Sequence, residues 1–553
     1  MILRLGVVVA AAWEPALGKY HMPITASADA QRLFNVGLLL EYGFDQGESK
    51  KAFAKALLAD PSCAMCHWGL AYANGPFLNN PQIAPGAVQT GYAEAHKALK
   101  MSSNVTSKER ALIQAMTLRY PSDPSGNQTV TYTAYRNELG KLLETQEFEN
   151  DSDIKSLYIE SILTLHSDSD GYHFYHNNGD DKPPTPLPDT VLATRLVHEV
   201  LNATNNSHPL AQHMVLHATE MSNIVAATSI EIAEHLDKQY AGLQDQHLQH
   251  MPSHIYLRTG HYHLAILANE RAHKSDMAFM QHGDTPYGPG HNTAFLTFCA
   301  AMSGEEATAQ RYSEVLQGIY AAAPSRPDGP GPDQAWSLPM VTALRFGNWD
   351  ALAALDLPPP KGFEASWPYG YNATRHFALS VSAAASGRHE SAVAEQQELS
   401  RVATQLTGKY KALAVVANET ASAAIAWHVM SNGEDAVNGL TRALAGVDAL
   451  VYNEPPDWMF PIRSCLGEVL LQSGRAAEAE DIFRHDVEGL SFHAYWENGW
   501  SLFGLKRAML AQPARHNASE IAKVDQRLKD AWQYADDDLA TSCPAFRRAT
   551  WLV

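Results

Sequence analysis

The sequence predicts an all-α chain built from stacked helical pairs, and three observations lead there. Apolar residues recur at helical spacing in short blocks: Leu33, Val36, Gly37, Leu40 and Tyr42 form one face, and Ala52, Phe53, Ala56 and Leu57 form a second. A turn signal, Gly43-Phe44-Asp45-Gln46-Gly47, separates these blocks, and Asp60-Pro61 stops the second. Similar blocks return along the chain, while alternating strand patterns are sparse.

Taken in order, residues 31–61 read as a first helical pair, and Trp68-Gly69-Leu70-Ala71-Tyr72-Ala73 opens the next. Small residues stand where helices must approach closely, and aromatics fill the gaps. Residues 256–272, with a Gly260-His261-Tyr262 turn, repeat the pattern, as do 466–483 around Gly474-Arg475 and the segment opening at Asn498-Gly499-Trp500. This resembles the tetratricopeptide pattern of roughly 34 residues. One such pair cannot bury its apolar face alone, so neighbours must stack. The expected architecture is a tetratricopeptide-like helical-repeat solenoid. Residues 19–322 form a His-rich half and 335–553 a C-terminal half, joined by a Pro/Gly-rich loop at 323–334. A second loop of that kind is expected at 180–189.

The first 18 residues read as a signal peptide: Arg4, an apolar stretch from Leu5 to Trp13, then Ala16-Leu17-Gly18 before a cleavage point at Lys19. Eight N-x-S/T sequons support a secretory route: Asn104, Asn127, Asn150, Asn202, Asn205, Asn372, Asn418 and Asn517. The formal net charge of −19 repels phosphate backbones and argues against a nucleic-acid partner. No apolar run reaches the roughly 18 residues of a membrane span. There is no GxSxG, P-loop, kinase set or HExxH, so those enzyme classes are not indicated.

Histidine is the unusual feature. Of 25 His, sixteen fall between His166 and His291, where even scatter would put about six. In His208-Pro209-Leu210-Ala211-Gln212-His213-Met214-Val215-Leu216-His217, the i, i+4 spacing puts His213 and His217 on one helix face, with Glu220 on the same stripe. Two imidazoles and a carboxylate so placed suit a transition metal, and Glu220 could serve as acid or base. Pro209 suits a first helical position and sets His208 just before it. In His250-Met251-Pro252-Ser253-His254, Pro252 likewise places His250 in the preceding loop and His254 in the first turn. Stacked repeats superpose corresponding faces, so both pairs could look into one groove. His291 opens a further helix, where the N-terminus favours the neutral, ligating form. His21 is a further candidate, third in the chain after cleavage.

The five cysteines form no dense disulfide framework, and their odd number leaves one unpaired or bridged to another chain. Cys63-Ala64-Met65-Cys66-His67 matches the attachment signature of c-type haem. Haem is set aside, because no distal ligand is evident and the secretory route does not attach it. A Cys63–Cys66 disulfide or a pair of buried thiols is preferred, with Cys66 and His67 left open as metal ligands.

These segments together resemble a tetratricopeptide-repeat family found in bacteria and algae, over most of the chain. The matching pieces are His21-Met22-Pro23-Ile24-Thr25, residues 60–69, the HPxxxHxxxH segment 208–217, the HMPSH segment 250–254, Glu454-Pro455-Pro456-Asp457-Trp458, and Asn498-Gly499-Trp500. The resemblance implies a repeat fold and a recurring histidine set, and no activity. Relatives often carry a second His three residues after the equivalent of His291, where this chain has Ala294, and an aromatic at the equivalent of His67. The expectation is a secreted metalloprotein with copper favoured over zinc, held by His213, His217, His250 and His254, with His21, His67, His208 and His291 as further ligands. Copper-dependent oxidation is the reaction class expected of it, and zinc-dependent hydrolysis the variant. The alternative is a scaffold that binds a peptide or protein along a His-lined groove. The small-molecule or peptide substrate is left unspecified.

Overall fold

The computed structural model describes residues 15–178, 182–323, 331–355 and 370–548. Most of the expected leader, and the prolines at 324, 327 and 330, lie outside these. Among the described residues the protein is a succession of α-helices with one two-residue hairpin, Tyr175–His176 against Thr185–Pro186. Helices pack in sequence order: Ala28–Tyr42 on Gln46–Ala59, Ala64–Ala73 on Pro85–Met101, and so on to Gly499–Leu510 on Ala518–Ala531. None is long and apolar enough to cross a membrane.

One device closes the repeat at both ends of the chain. The Phe53 ring lies between Gly37 and Gly69, so close that a Cβ on either glycine would stand 2.6 or 2.5 Å from it. The Phe483 ring lies in the same way between Gly467 and Gly504, at 2.5 and 2.1 Å. Each aromatic belongs to the second helix of a pair and is gripped by the first helices of its own unit and the next. Glycine is required there because any side chain would push the helices apart.

Two hydrophobic cores follow the two halves, one from Met22 to Tyr312 and one from Met340 to Phe546. Tyr452 and Phe492 of the C-terminal half belong to the first core. The segments around them fold back onto the N-terminal half: Tyr172 N donates to Tyr452 O at 3.2 Å, and Tyr262 Oη to Trp496 O at 2.6 Å.

Some expectations shift. Of the loop expected at 323–334, residues 331–334 belong to the Gly331–Phe346 helix, and 324–330 lie outside the described residues. Pro252 does not end a loop at His250: Gln246–His250 is helical, Met251 stays in the right-handed region (φ −52°, ψ −37°), and Pro252–Arg258 continues. Proline tolerates this because it stands in the first turn, where its missing N–H costs nothing. Cys63 and Cys66 form one disulfide, Cys465 and Cys543 a second, and Cys299 is a buried free thiol. Leu17, inside the expected leader, is buried with Leu39, Leu40 and Phe279, and Ala16 exchanges two hydrogen bonds with Gln244.

Candidate metal centre

Three successive helical segments, Pro209–Glu220, the abutting Gln246–His250 and Pro252–Arg258 helices, and Pro289–Ser303, bring their histidines together. Two triads result: His213, His217 and His247, and His250, His254 and His291. In the first, His213 Nε2 lies 3.1 Å from His217 Nε2 and 3.2 Å from His247 Nε2. In the second, His250 Nε2 lies 2.8 Å from His254 Nε2 and 3.0 Å from His291 Nε2. Three imidazoles bound to one ion at about 2.0 Å would hold their nitrogens about 3.3–3.5 Å apart, close to this spacing. The triads adjoin, with ring centroids 5.3 Å apart at His217 and His254 and 5.4 Å at His247 and His250.

The far side of four of the rings explains why their Nε2 atoms face one another. His213 Nδ1 donates to Tyr42 O at 2.6 Å, and His217 Nδ1 to Glu220 Oε1 at 2.7 Å. His254 Nδ1 donates to Glu220 Oε2. His250 Nδ1 donates to Asn269 Oδ1 at 2.6 Å, and that amide is oriented by its own bond to Ala265 O. A neutral imidazole carries one proton. With that proton at Nδ1, four rings present bare Nε2 lone pairs, and within each triad lone pair meets lone pair. Two such acceptors in contact repel unless a cation lies between them, and histidine metal ligands are oriented by this kind of outer partner.

Burial reinforces the neutral form. Desolvation, followed by neighbouring imidazoles, holds His213, His247 and His250 well below the ordinary histidine pKa. It lowers His217 as well, against the pull of Glu220, and takes His291 to about 3. For Glu220, burial raises the carboxyl, but His254 and His217 outweigh it and hold it at about 2. Phe44, in the left-handed region at φ 61°, sets its ring 4.3 Å from that of His213 and 5.1 Å from that of His247. Asp45 beside it accepts from Gln246 Nε2 at 2.6 Å, which ties the first repeat's turn to the His247 helix.

His213, His217, His250, His254 and His291 therefore meet, and His247 completes the set. Sequence reasoning missed His247, although it stands one helical turn before His250. Ala294 is buried, and His250, His254 and His291 meet without a side chain from that position. The other candidates lie elsewhere. His208 caps the Pro209–Glu220 helix and faces Asp153 at 3.2 Å and Tyr20 at 3.3 Å. His67 pairs with Glu94 at 2.6 Å, and exposed His21 with Asn35 at 3.0 Å. Cys66 is joined to Cys63, so neither sulfur is free to attach haem or hold an ion. Glu220 accepts from His217 Nδ1 with one oxygen and from His254 Nδ1 with the other. The six histidines lie in the interior, none above 8% exposure. Among the sequons, Asn104, Asn127, Asn150, Asn202, Asn205 and Asn517 are exposed, while Asn372 and Asn418 are half-buried. Asn418 accepts from Gln396 and Ser400 at 2.9 and 2.8 Å.

The chain is a tetratricopeptide-like helical-repeat solenoid. No protein-family model matches it, and no curated relative does. Several solved structures are similar to it. Yeast Tom70 is 13% identical over 90% of this chain and 99% of that one, with a TM-score of 0.32. Ypp1 is 9% identical over 92% and 80%, with a TM-score of 0.42. Cut9–Hcn1 of the APC/C is 11% identical over 91% and 76%, with a TM-score of 0.32. At such identities and scores, any function has to be argued from the site itself.

Proposed function

We propose that this protein binds a pair of transition-metal ions, one in each histidine triad, with copper the preferred ion, and that it is a copper-dependent oxidoreductase. The observation that carries the reading is the meeting of bare Nε2 lone pairs whose Nδ1 protons are engaged elsewhere. Neutral imidazole suits copper, zinc, iron and nickel, and the order of divalent affinities places copper first. When bound, two adjacent coppers supply a two-electron exchange between an organic donor and dioxygen.

The chain's own residues do the rest. Six Nε2 atoms bind. Tyr42, Asn269 and Glu220 hold Nδ1 protons away from the ions and fix the rings. Phe44 and the surrounding core keep water out. Glu220 links one ring of each triad, so the two sites are positioned by a single carboxylate.

Elemental analysis of untagged protein, dialysed against a weak chelator, tests the reading. The expected result is about two coppers per chain. His217→Ala and His254→Ala should each lose one ion's worth of metal while circular dichroism keeps its helical signal. Zinc in place of copper would redirect the search to hydrolysis. No stoichiometric metal, as purified or after reconstitution, would overturn the proposal and leave a peptide- or protein-binding scaffold.

A further inference from the structure

A cavity of about 220 Å³ lies where the C-terminal half folds back on the metal centre, and His291 is the triad member on its wall. The other five histidines are at most 1% exposed, and His291 is 8% exposed. Its second ring nitrogen also differs from theirs. Nδ1 of His213, His217, His250 and His254 is engaged by Tyr42, Glu220 or Asn269, and Nδ1 of His247 is sealed in the core. Among the described residues, His291 Nδ1 meets no protein partner and is not sealed, while its Nε2 faces His250 at 3.0 Å. A polar atom left so in a largely buried side chain marks a place a ligand completes.

The ligand's chemistry follows from the ring. With an ion on Nε2 the imidazole proton sits at Nδ1, which donates. Without an ion Nε2 can carry the proton toward His250, and Nδ1 accepts. A hydroxyl serves both states because it donates and accepts, whereas a carbonyl or an ether serves only the first. The walls select what carries that hydroxyl. Tyr172 and Tyr287 line the cavity, and Asn79 fixes both: its Oδ1 accepts from Tyr172 Oη, and its Nδ2 donates to Tyr287 Oη at 2.8 Å. Aromatic side chains held in place favour a flat ring against them. An apolar cavity of about 150 Å³ holds benzene, so this one admits a single substituted ring. Asp168, Asp170 and Asp457 on the same walls disfavour an anion, since Lys409 is taken by Asp457 at 3.2 Å.

We infer that this cavity binds a small uncharged phenol, with its hydroxyl on His291 Nδ1 and its ring against Tyr172 and Tyr287. As the substrate site of the proposed oxidoreductase, the cavity depends on the metal reading. As a binding site it stands on its own walls.

The test titrates phenol and benzene calorimetrically into the full chain, under argon, with metal loaded and after chelation. Phenol should bind about three- to tenfold more tightly than benzene in both states, the difference one neutral hydrogen bond makes. His291→Phe keeps a ring and removes both nitrogens, and should bring phenol down to benzene's affinity. His291→Asn returns an amide that can donate or accept, and should restore part of the preference. Tyr287→Leu removes a flat wall and leaves every imidazole in place. It should weaken both ligands alike, and it carries the test where neither His291 variant folds. Equal binding of phenol and benzene, a preference that survives in folded His291→Phe, or affinities that Tyr287→Leu leaves unchanged would overturn the inference. Because binding is also read in the chelated protein, the two readings fail separately. Copper without a phenol preference defeats this one alone, and a phenol preference without metal defeats the metal reading alone.

Discussion

Glu220 is fully buried and gives one oxygen to His217 and the other to His254. Glu220→Gln keeps the volume but turns one acceptor into a donor, which then faces an imidazole N–H. Loss of such an outer-shell partner typically weakens metal binding about 10–100-fold, so competition titrations against a chelator should show a loss in that range. An affinity unchanged in a folded variant would mean the rings are held by something else. The depressed histidine pKa values give a second prediction. A base whose folded pKa lies below its ordinary 6.5 stays neutral as pH falls through 6.5, and is protonated only below its folded value, about 3 for His291. Metal binding at pH 6 should therefore release fewer protons than six ordinary imidazole ligands would, because His213, His217, His247, His250 and His291 are held below the ordinary value. Calorimetry in two buffers of different ionisation enthalpy reads this directly, and substantial release would show that the triads are solvated without metal. These residues were partly legible in the sequence. The HxxxH spacing is local helical geometry, so the 213/217 and 250/254 pairs could be read. Grouping His247 with His213, and His291 with His250, depends on how three repeats stack, which no spacing within one helix states.

Helices whose apolar stripe repeats at 3.6 residues were legible as pairs because the periodicity is printed in the chain, and Gly37, Phe53 and Gly69 were visible as face residues. What could not be read is that the two glycines grip one ring. Gly467→Ala would place a methyl 2.5 Å from Phe483. Overpacking of this kind costs about 1–3 kcal/mol, and the melting temperature should fall. Gly86 provides the contrast: it lies in the first turn of the Pro85–Met101 helix with nothing within 4 Å of an added Cβ. Gly86→Ala should be neutral or stabilising by up to about 1 kcal/mol. Equal melting temperatures for the two variants would refute the clasp. The short helix before Pro252 escaped a reading based on proline as a boundary, because Met251 keeps right-handed angles and lets Gln246–His250 abut Pro252–Arg258.

At the scale of the molecule, the C-terminal half completes the surroundings of a site whose six histidines all lie in the N-terminal half. Tyr452 Oη reaches Glu220 Oε2 at 3.4 Å, and Arg258, on the helix of His254, donates to Phe492 O at 2.9 Å. An ion in the triads would stiffen Glu220 and the 246–258 helix, and those are the groups the C-terminal half rests on. A ligand stabilises every part of a structure that must open for it to leave. Removing metal with chelator should therefore speed amide hydrogen exchange in residues 208–258 and also in 450–460 and 489–497, which lie more than 150 residues away in sequence. Mass spectrometry resolves these segments as separate peptides. Protection lost in the first group alone would mean that the two halves close independently of the site, and that the cavity between them is shaped by packing. Protection lost in all three would make closure and metal occupancy one equilibrium, with Glu220 as the joint that transmits it.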